Sequence, residues 1–352
     1  MARVPVVVLA GFLGSGKTTL LNHLLAGSGD TRIGVLVNDF GKINIDGLAV
    51  AGQVDSTITL GNGCLCCAVG PGDLDGMLER LGRPGADIDV IVIEASGLAE
   101  PPALVRMVLS STSDHVEYGG LVEVVDAAEF EQTRSRHPNV DQHLKFADLV
   151  VLNKADRIDD LTLRRLQAEI ERLSPGTPTL STEFGRIDPA LLFERRTSAP
   201  RGPRQLSFDD LDEIHDHDRH LHASYQSVEF TSEDPLHPQR LMEFLAERPA
   251  GLYRMKGFVY FGVPGHKKKY AMHTVGDFLR FEPLPWARDE HRRTQLVMIG
   301  SGIDPDAILG RLNACIEPRP ETVDEQNMLS VLRYARTPDA SIGPIAGEFS
   351  DG

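Results

Sequence analysis

The first half of the 352-residue chain alternates short, almost continuously apolar runs with segments whose apolar residues recur at helical spacing. Runs of this kind, rich in β-branched residues, are typical of strands buried on both faces of a sheet. Their alternation with helices predicts βαβ units and a mostly parallel sheet with helices on both sides, an α/β fold. The predicted strands are residues 4–10, 33–37, 57–60, 90–93, 121–125 and 149–152, and the predicted helices are residues 17–25, 73–81, 102–109 and 161–173.

The pattern changes near residue 198. Residues 199–203 read Ala-Pro-Arg-Gly-Pro, which is typical of a linker, and patterned sequence resumes after residue 222. We therefore expect an α/β domain over residues 1–197, a linker over 198–222, a smaller C-terminal α+β domain over 223–318 and a weakly ordered tail over 319–352. The strands predicted in the smaller domain are residues 224–230, 257–261, 270–272 and 296–299, and its helices are residues 238–246 and 304–314.

Composition and charge narrow the classes of partner. Hydrophobic residues make up 41% of the chain and charged residues 25%, as in ordinary soluble proteins. A formal net charge of −15 argues against nucleic acid, because nothing then attracts the chain to a phosphate backbone. No apolar run is long enough to span a membrane, and the run over residues 4–10 lacks a signal-peptide cleavage site. We therefore expect a cytoplasmic protein.

A glycine-rich motif joins the first predicted strand to the first predicted helix. Residues 11–18 read Gly-Phe-Leu-Gly-Ser-Gly-Lys-Thr, a P-loop pattern in the strand–loop–helix setting that this motif requires. Its glycines let backbone N–H groups face phosphates at a helix N-terminus, where the helix dipole also favours an anion. We expect Lys17 to reach the β- and γ-phosphates and Thr18 to place its hydroxyl on Mg²⁺. The other nucleotide-binding residues predicted here are Gly11, Gly14, Ser15, Gly16 and Thr19.

A second motif follows the last strand of the first domain. Residues 153–156 read Asn-Lys-Ala-Asp, the N-K-x-D pattern by which GTPases recognise the base. The Asp156 carboxylate can accept hydrogen bonds from N1–H and the 2-amino group of guanine, whereas adenine offers no such pair of donors. Because a buried carboxylate left unpaired is costly, the discrimination can be large. We expect Asn153, Lys154 and Asp156 to bind nucleotide, which favours a GTPase over a P-loop ATPase or kinase.

Two further acids follow predicted strands. Glu94, at the end of the strand over residues 90–93, is placed to approach Mg²⁺ directly or through water, and Gly97 to bring its N–H to the γ-phosphate. Lys17, Thr18 and Glu94 are therefore the predicted catalytic residues. Asp39 follows the second strand, where it would face a Mg²⁺-bound water or a second metal; a polar turn is the alternative.

Three of the four cysteines, Cys64, Cys66 and Cys67, lie within four residues of one another. Cysteines this close to one another cannot cross-link distant segments through disulfide bonds, so a disulfide framework is not expected. Thiolates bind soft or borderline ions such as Zn²⁺, Co²⁺ and Ni²⁺. The sequence therefore predicts a transition-metal site, with a redox pair or buried packing cysteines as alternatives. The fourth cysteine, Cys315, is expected to be a small buried apolar residue.

A histidine-rich tract lies beside the linker signal. Tracts of this composition bind metals loosely, although a solvated linker with no function is the alternative. The histidines proposed as weak metal ligands are His215, His217, His220 and His222.

Taken together, these motifs resemble the CobW/YjiA-type metal-handling GTPases, relatives of the nickel-insertion GTPases of urease and hydrogenase. The resemblance rests on the P-loop, residues 38–41, the Gly-Cys-Leu-Cys-Cys run over 63–67, residues 94–101 and the Asn153 motif, with weaker matches at 253–258 and 297–300. It covers residues 4–316. The resemblance implies GTP hydrolysis coupled to delivery of a transition metal, most often zinc or cobalt, to a client metalloprotein.

The resemblance leaves several points open. One branch resembles activators of nitrile hydratase, a cobalt or iron enzyme, and a zinc buffer without delivery is a further alternative. The family pattern after the second strand is usually Asn-Glu-Phe-Gly-Glu, whereas this chain has Asp39 and Lys42 at the acidic positions. Lys42 cannot ligate a metal ion, which puts an accessory site that uses the second acid in question. The sequence does not decide between a monomer and a homodimer.

Overall fold

The computed structural model describes residues 3–38, 56–60, 71–97, 100–193 and 225–335. The N-terminal part forms a parallel sheet of seven strands in the order β3-β2-β4-β1-β5-β6-β7. Its strands are β1 (Val4–Ala10), β2 (Ile33–Asn38), β3 (Ser56–Leu60), β4 (Val90–Glu94), β5 (Val116–Asp126), β6 (Leu149–Asn153) and β7 (Thr179–Ser181). The prediction of a mostly parallel α/β sheet is confirmed.

Helices cover both faces of this sheet. In β1, Val7 and Leu9 enter one hydrophobic core while Val6 and Val8 enter the core on the opposite face. Apolar residues at successive positions are therefore all buried, which is why these strands are nearly continuous apolar runs. The flanking helices are Lys17–Ala26, Pro71–Gly82, Pro101–Leu109, Phe130–Arg136, Val140–Phe146, Asp160–Leu173 and the short Pro189–Leu192.

The parallel arrangement brings several polar strand ends to one edge of the sheet. In the register of the strands, Leu9 lies beside Glu94, Ala10 beside Glu123, and Asp126 beside Asn153. The loop after β1 therefore starts in the middle of a row of polar side chains. In open α/β sheets, ligands bind in the crevice at this edge.

The C-terminal part forms an antiparallel sheet of five strands in the order β11-β10-β9-β12-β8. Its hydrophobic core includes buried residues of the helices Pro238–Ala246 and Pro305–Asn313, and Cys315 is buried in it as predicted. The strands are β8 (Gln226–Ser232), β9 (Leu252–Val259), β10 (Lys269–Val275), β11 (Phe278–Leu284) and β12 (Thr294–Gly300).

The two sheets are joined by a shared core. Tyr253 of β9 is fully buried within the hydrophobic core that also covers one face of the parallel sheet. Polar contacts border it: Arg254 Nη1 donates to the Leu192 carbonyl at 3.0 Å, and His273 Nε2 lies 3.2 Å from the Tyr118 carbonyl oxygen. Burial lowers the pKa of His273 to about 3, so this imidazole is neutral. The C-terminal sheet is thus packed directly against the N-terminal part of the chain.

The chain beyond residue 318 differs from the prediction. Among the described residues, 319–335 form short helical segments whose Val323, Met328 and Val331 are buried in the C-terminal core. The expectation of weak order was therefore wrong for this stretch. The segments are Pro320–Thr322, Glu325–Met328 and Leu329–Leu332.

Several predicted features lie outside the described residues. These are Asp39, Lys42, the cysteines Cys64, Cys66 and Cys67, and the histidines His215, His217, His220 and His222. None of the helices in the described part of the chain has the length and apolar character needed to cross a membrane.

Candidate functional site

The P-loop connects β1 to the helix Lys17–Ala26. Gly16 precedes this helix with a φ of 100°, and a Cβ there would lie 2.2 Å from Asn153 Nδ2. Glycine is therefore required both by the left-handed conformation and by the close approach of Asn153. The loop brings backbone N–H groups to a helix N-terminus, an arrangement suited to an anion.

The Lys17 side chain is folded back against this loop. Its Nζ donates to the carbonyl oxygens of Gly11 at 2.9 Å and Phe12 at 3.1 Å, and the side chain is largely buried. These two carbonyl oxygens thus help to hold the ammonium group at the start of the loop. An arriving phosphate would offer it a stronger, charged partner.

Thr18 and Glu94 meet across the edge of the sheet. Thr18 Oγ1 donates to Glu94 Oε1 at 2.7 Å, and Glu94 is only 3% exposed. A hydroxyl and a carboxylate are the hard oxygen ligands that Mg²⁺ prefers. The two predicted magnesium ligands therefore lie together.

Gly97 lies directly against the P-loop. A Cβ at this position would approach the Leu13 backbone nitrogen to 2.7 Å, so a larger residue would push the two segments apart. A cavity of about 320 Å³ opens beside them, lined by Phe12, Gly97, Glu100, Arg136, His137, Pro138, Asn139 and His143.

Asn153 connects the P-loop to a second loop. Its Nδ2 donates to the Ser15 carbonyl at 2.9 Å, and its Oδ1 accepts from the Gly185 N–H at 2.8 Å. Asn153 is 1% exposed, so both hydrogen bonds are shielded from water. This one amide fixes the phosphate loop relative to the loop after β7.

Lys154 and Asp156 lie on the open side of the same turn. Lys154 has a φ of 59°, and its Nζ donates to the Gly14 carbonyl at 2.7 Å and to Asp126 Oδ2 at 2.6 Å. The aliphatic part of the side chain thus bridges the turn and the P-loop. Asp156, in the short 3₁₀ helix Ala155–Arg157, is exposed. Its carboxylate is accessible to a ligand.

Three parts of this site were missed from the sequence. Asp126, the partner of Lys154, could have been predicted, because it follows a predicted strand directly, as Glu94 does. The loop after β7 could not have been predicted, because β7 has only three residues. In that loop, the Thr182 carbonyl accepts from the Ala155 N–H at 3.1 Å, next to the Gly185 contact. The third is Glu123, an acid in the middle of an apolar run, which is 2% exposed.

The structure brings the predicted P-loop residues, Thr18, Glu94, Gly97 and the Asn153–Asp156 turn to one edge of the sheet. It does not report on Asp39, the cysteines or the histidine tract, which lie outside the described residues. Within the described ranges, no group of three or more His, Cys, Asp or Glu side chains is arranged to hold a metal ion.

Comparison with known proteins agrees with this arrangement. The family model for the CobW/HypB/UreG nucleotide-binding domain matches residues 5–181. The family model for the cobalamin synthesis protein cobW C-terminal domain matches residues 225–316. The zinc chaperone CobW of Pseudomonas aeruginosa is 32% identical over 365 residues, spanning 90% of this chain and 92% of that protein. The zinc chaperone CobW of a Sinorhizobium species is 30% identical and spans 89% of this chain and 98% of that protein.

Among solved structures, the Zn(II)-bound YjiA GTPase from E. coli is 21% identical, covers 90% of this chain and 100% of that chain, and gives a TM-score of 0.43. The two domain matches follow each other in the same order as the two sheets. The chain therefore belongs to the CobW/HypB/UreG family of nucleotide-binding proteins.

Proposed function

We propose that the protein is a GTP-hydrolysing metallochaperone that binds a transition metal, zinc or cobalt, and delivers it to a client metalloprotein. The observation that carries the nucleotide part is the Asn153 bridge, which joins the phosphate-binding loop to the turn that presents Asp156. Relatives named zinc chaperones support the metal part.

Guanine selection is assigned to Asp156. Its exposed carboxylate stands beside the bridge, where it can accept from the two donors on the guanine edge. Lys154 extends from the same turn toward the P-loop, so its aliphatic chain can cover one face of the base. A base bound against Asp156 would shield its carboxylate from water, and adenine would leave the shielded carboxylate without donors, which is costly.

Magnesium is assigned to Thr18 and Glu94, whose oxygens fit it chemically. When bound, the ion would neutralise charge on the β- and γ-phosphates. The protein's residues would position the phosphates. Lys17 would turn from the carbonyls of Gly11 and Phe12 to the phosphates, and Gly97 would present its N–H beside the loop. Hydrolysis then depends on orientation and on electrostatic stabilisation.

The metal cargo is assigned to the thiolates of Cys64, Cys66 and Cys67. Their segment follows β3, whose parallel neighbour β2 lies next to β4, the strand that ends at Glu94. Nucleotide and metal would thus act on neighbouring loops at one edge of the sheet. By linkage, each must then change the affinity of the other by the same factor.

A zinc titration tests this proposal. We expect zinc to bind more tightly in the presence of a non-hydrolysable GTP analogue than with GDP, by roughly 5–150-fold, the usual range of allosteric coupling. Replacing Cys64, Cys66 and Cys67 by Ser should abolish the coupling and leave nucleotide binding intact. Cys315→Ser is the matched control, because Cys315 is buried in the C-terminal core. Equal zinc affinity in both nucleotide states would refute the coupling.

A further inference from the structure

An aromatic side chain lies exposed at the tip of the loop after β7. Phe184 is 58% exposed and follows closely on Ser181, the last residue of that strand. A single exposed apolar side chain is common on a protein surface and by itself indicates no function. The backbone conformation of Phe184 and the position of its loop distinguish it from such a residue.

Phe184 occupies the first central position of a tight turn. The Arg186 N–H donates to the Glu183 carbonyl at 3.1 Å and closes the turn. The two residues between them, Phe184 and Gly185, have φ values of 53° and 67°. A turn with two left-handed central residues normally carries Asn, Asp or Gly at the first of them, because a bulky side chain is strained there. Strain of this kind is concentrated at functional sites, where the surrounding structure maintains it.

Hydrogen bonds on both sides of the aromatic residue fix its loop against the turn that carries Asp156. The Thr182 carbonyl accepts from the Ala155 N–H at 3.1 Å, and the Gly185 N–H donates to Asn153 Oδ1 at 2.8 Å. Ala155 precedes Asp156 directly, and Asn153 begins the same turn. The loop that carries the exposed ring therefore has a fixed position beside the residues assigned to base recognition.

The loop also packs against the helix that follows the P-loop. A Cβ added to Gly185 would lie 2.7 Å from both the backbone nitrogen and the Cα of Leu20, in the helix Lys17–Ala26. The loop therefore contacts both the helix that carries Lys17 and the turn that carries Asp156. A nucleotide whose phosphates meet Lys17 and whose base meets Asp156 would pass beside this loop.

The ring has the chemistry of a surface on which a base can stack. The guanidinium carbon of Arg186 lies over it, 5.5 Å from the ring centroid, and this contact restrains the ring. The Phe184 side chain is nevertheless more than half exposed, so it remains accessible to a ligand. Aromatic side chains stack on nucleobases, and one such contact strengthens binding by roughly 5–150-fold.

Resting on the proposed function, we propose that Phe184 stacks on the guanine base of the bound nucleotide. Asp156 selects the base through the hydrogen-bonding groups on its edge, whereas Phe184 adds affinity through contact with its face. Every purine has such a face, so the contribution of Phe184 is to affinity and not to the choice between guanine and adenine. Contact with the base would offset the strain of the left-handed conformation.

The direct test places a fluorescent ring at this position in the full-length protein. GDP with Mg²⁺ should quench the new indole of Phe184→Trp, because a stacked purine quenches indole emission. Its GDP affinity should stay within about twofold of the wild type, since tryptophan also stacks. The chain has one native tryptophan, Trp286, so the wild-type protein supplies the baseline. Unchanged emission from Phe184→Trp at a saturating GDP concentration would overturn the inference.

Phe146→Trp is the matched control. Phe146 is 57% exposed and ends the helix Val140–Phe146, just before β6 begins. It therefore lies at the opposite end of β6 from Asn153 and the proposed base site. We expect GDP to leave the emission of this control at the wild-type baseline. Equal quenching in both tryptophan variants would show that the signal is not specific to the loop after β7, and would refute stacking at Phe184.

Phe184→Asn separates a role in binding from a role in folding, because Asn suits the left-handed turn but has no ring. We expect its resistance to urea to be at least that of the wild type, while GDP affinity falls by roughly 5–150-fold. The KM for GTP should rise with kcat within about twofold of the wild type, and the preference for GTP over ATP should be kept. Wild-type GDP affinity in Phe184→Asn would refute the stacking contact. Failure of the wild-type protein to bind GDP would instead reject the proposed function, and this inference with it.

Discussion

Replacing Asn153 by Ala removes the bridge between the phosphate loop and the loop after β7. The substitution deletes the donor to the Ser15 carbonyl and the acceptor for the Gly185 N–H, which are made at 2.9 and 2.8 Å. Ser15 and Gly185 are themselves buried, so neither group can turn to water without a rearrangement of its loop.

The size of the loss can be worked from these two contacts. Each buried donor or acceptor left without a partner costs about 1–3 kcal/mol. The two loops can relax in part, because residues next to Ser15 and Gly185 in the loops are exposed. We therefore expect Asn153→Ala to lower the free energy of unfolding by about 2–4 kcal/mol. GDP affinity should fall as well, because the two loops no longer hold their relative positions.

Urea unfolding followed by circular dichroism, without nucleotide, measures the stability change, and GDP titration measures the binding change. Asn139→Ala is the matched control, since Asn139 is exposed and its side chain caps no helix; we expect a change within about 0.5 kcal/mol. If the two variants were equally stable, the bridge would contribute nothing and its role in the site would be refuted.

Two further predictions concern the nucleotide itself. Lys17→Ala should abolish GTP hydrolysis, because it removes the charge that acts on the β- and γ-phosphates; phosphate release measures this, and parental turnover would contradict the assignment. Asp156→Asn should lose the preference for GTP over ATP, because the amide presents a donor where guanine also has one; competition between the two nucleotides tests it. An unchanged preference would place base selection elsewhere.

The elements that could be predicted are those defined by local sequence. The P-loop is fixed by the spacing of Gly11, Gly16 and Lys17, and β1 by a continuous apolar run. Strand β7 could not be found, because three residues carry too little periodicity, and β11 escaped because Phe278–Leu284 is only partly buried and contains a proline. Short runs of this kind are decided by tertiary packing, not by propensity.

The sequence indicated which residues would lie in the site, but not which side chains they would contact. The motifs indicated that Lys154 would lie near the nucleotide, yet its pairing with Asp126 joins residues that meet only through the strand order. Glu123 is a different case, since an acid in a buried strand breaks the pattern and could have been noticed. What the pattern could not supply is the position of Glu123 beside Ala10, the last residue before the P-loop, which depends on the pairing of β5 with β1.

The core shared by the two sheets has a thermodynamic consequence. Tyr253 packs among the apolar residues that cover one face of the parallel sheet. Separating the two sheets would therefore expose both this aromatic side chain and the apolar residues around it. The two sheets should therefore unfold as one cooperative unit and not as independent modules. Any change that nucleotide binding causes in β8 to β12 should therefore take the form of small displacements within a packed interior, not a free swing of the whole domain.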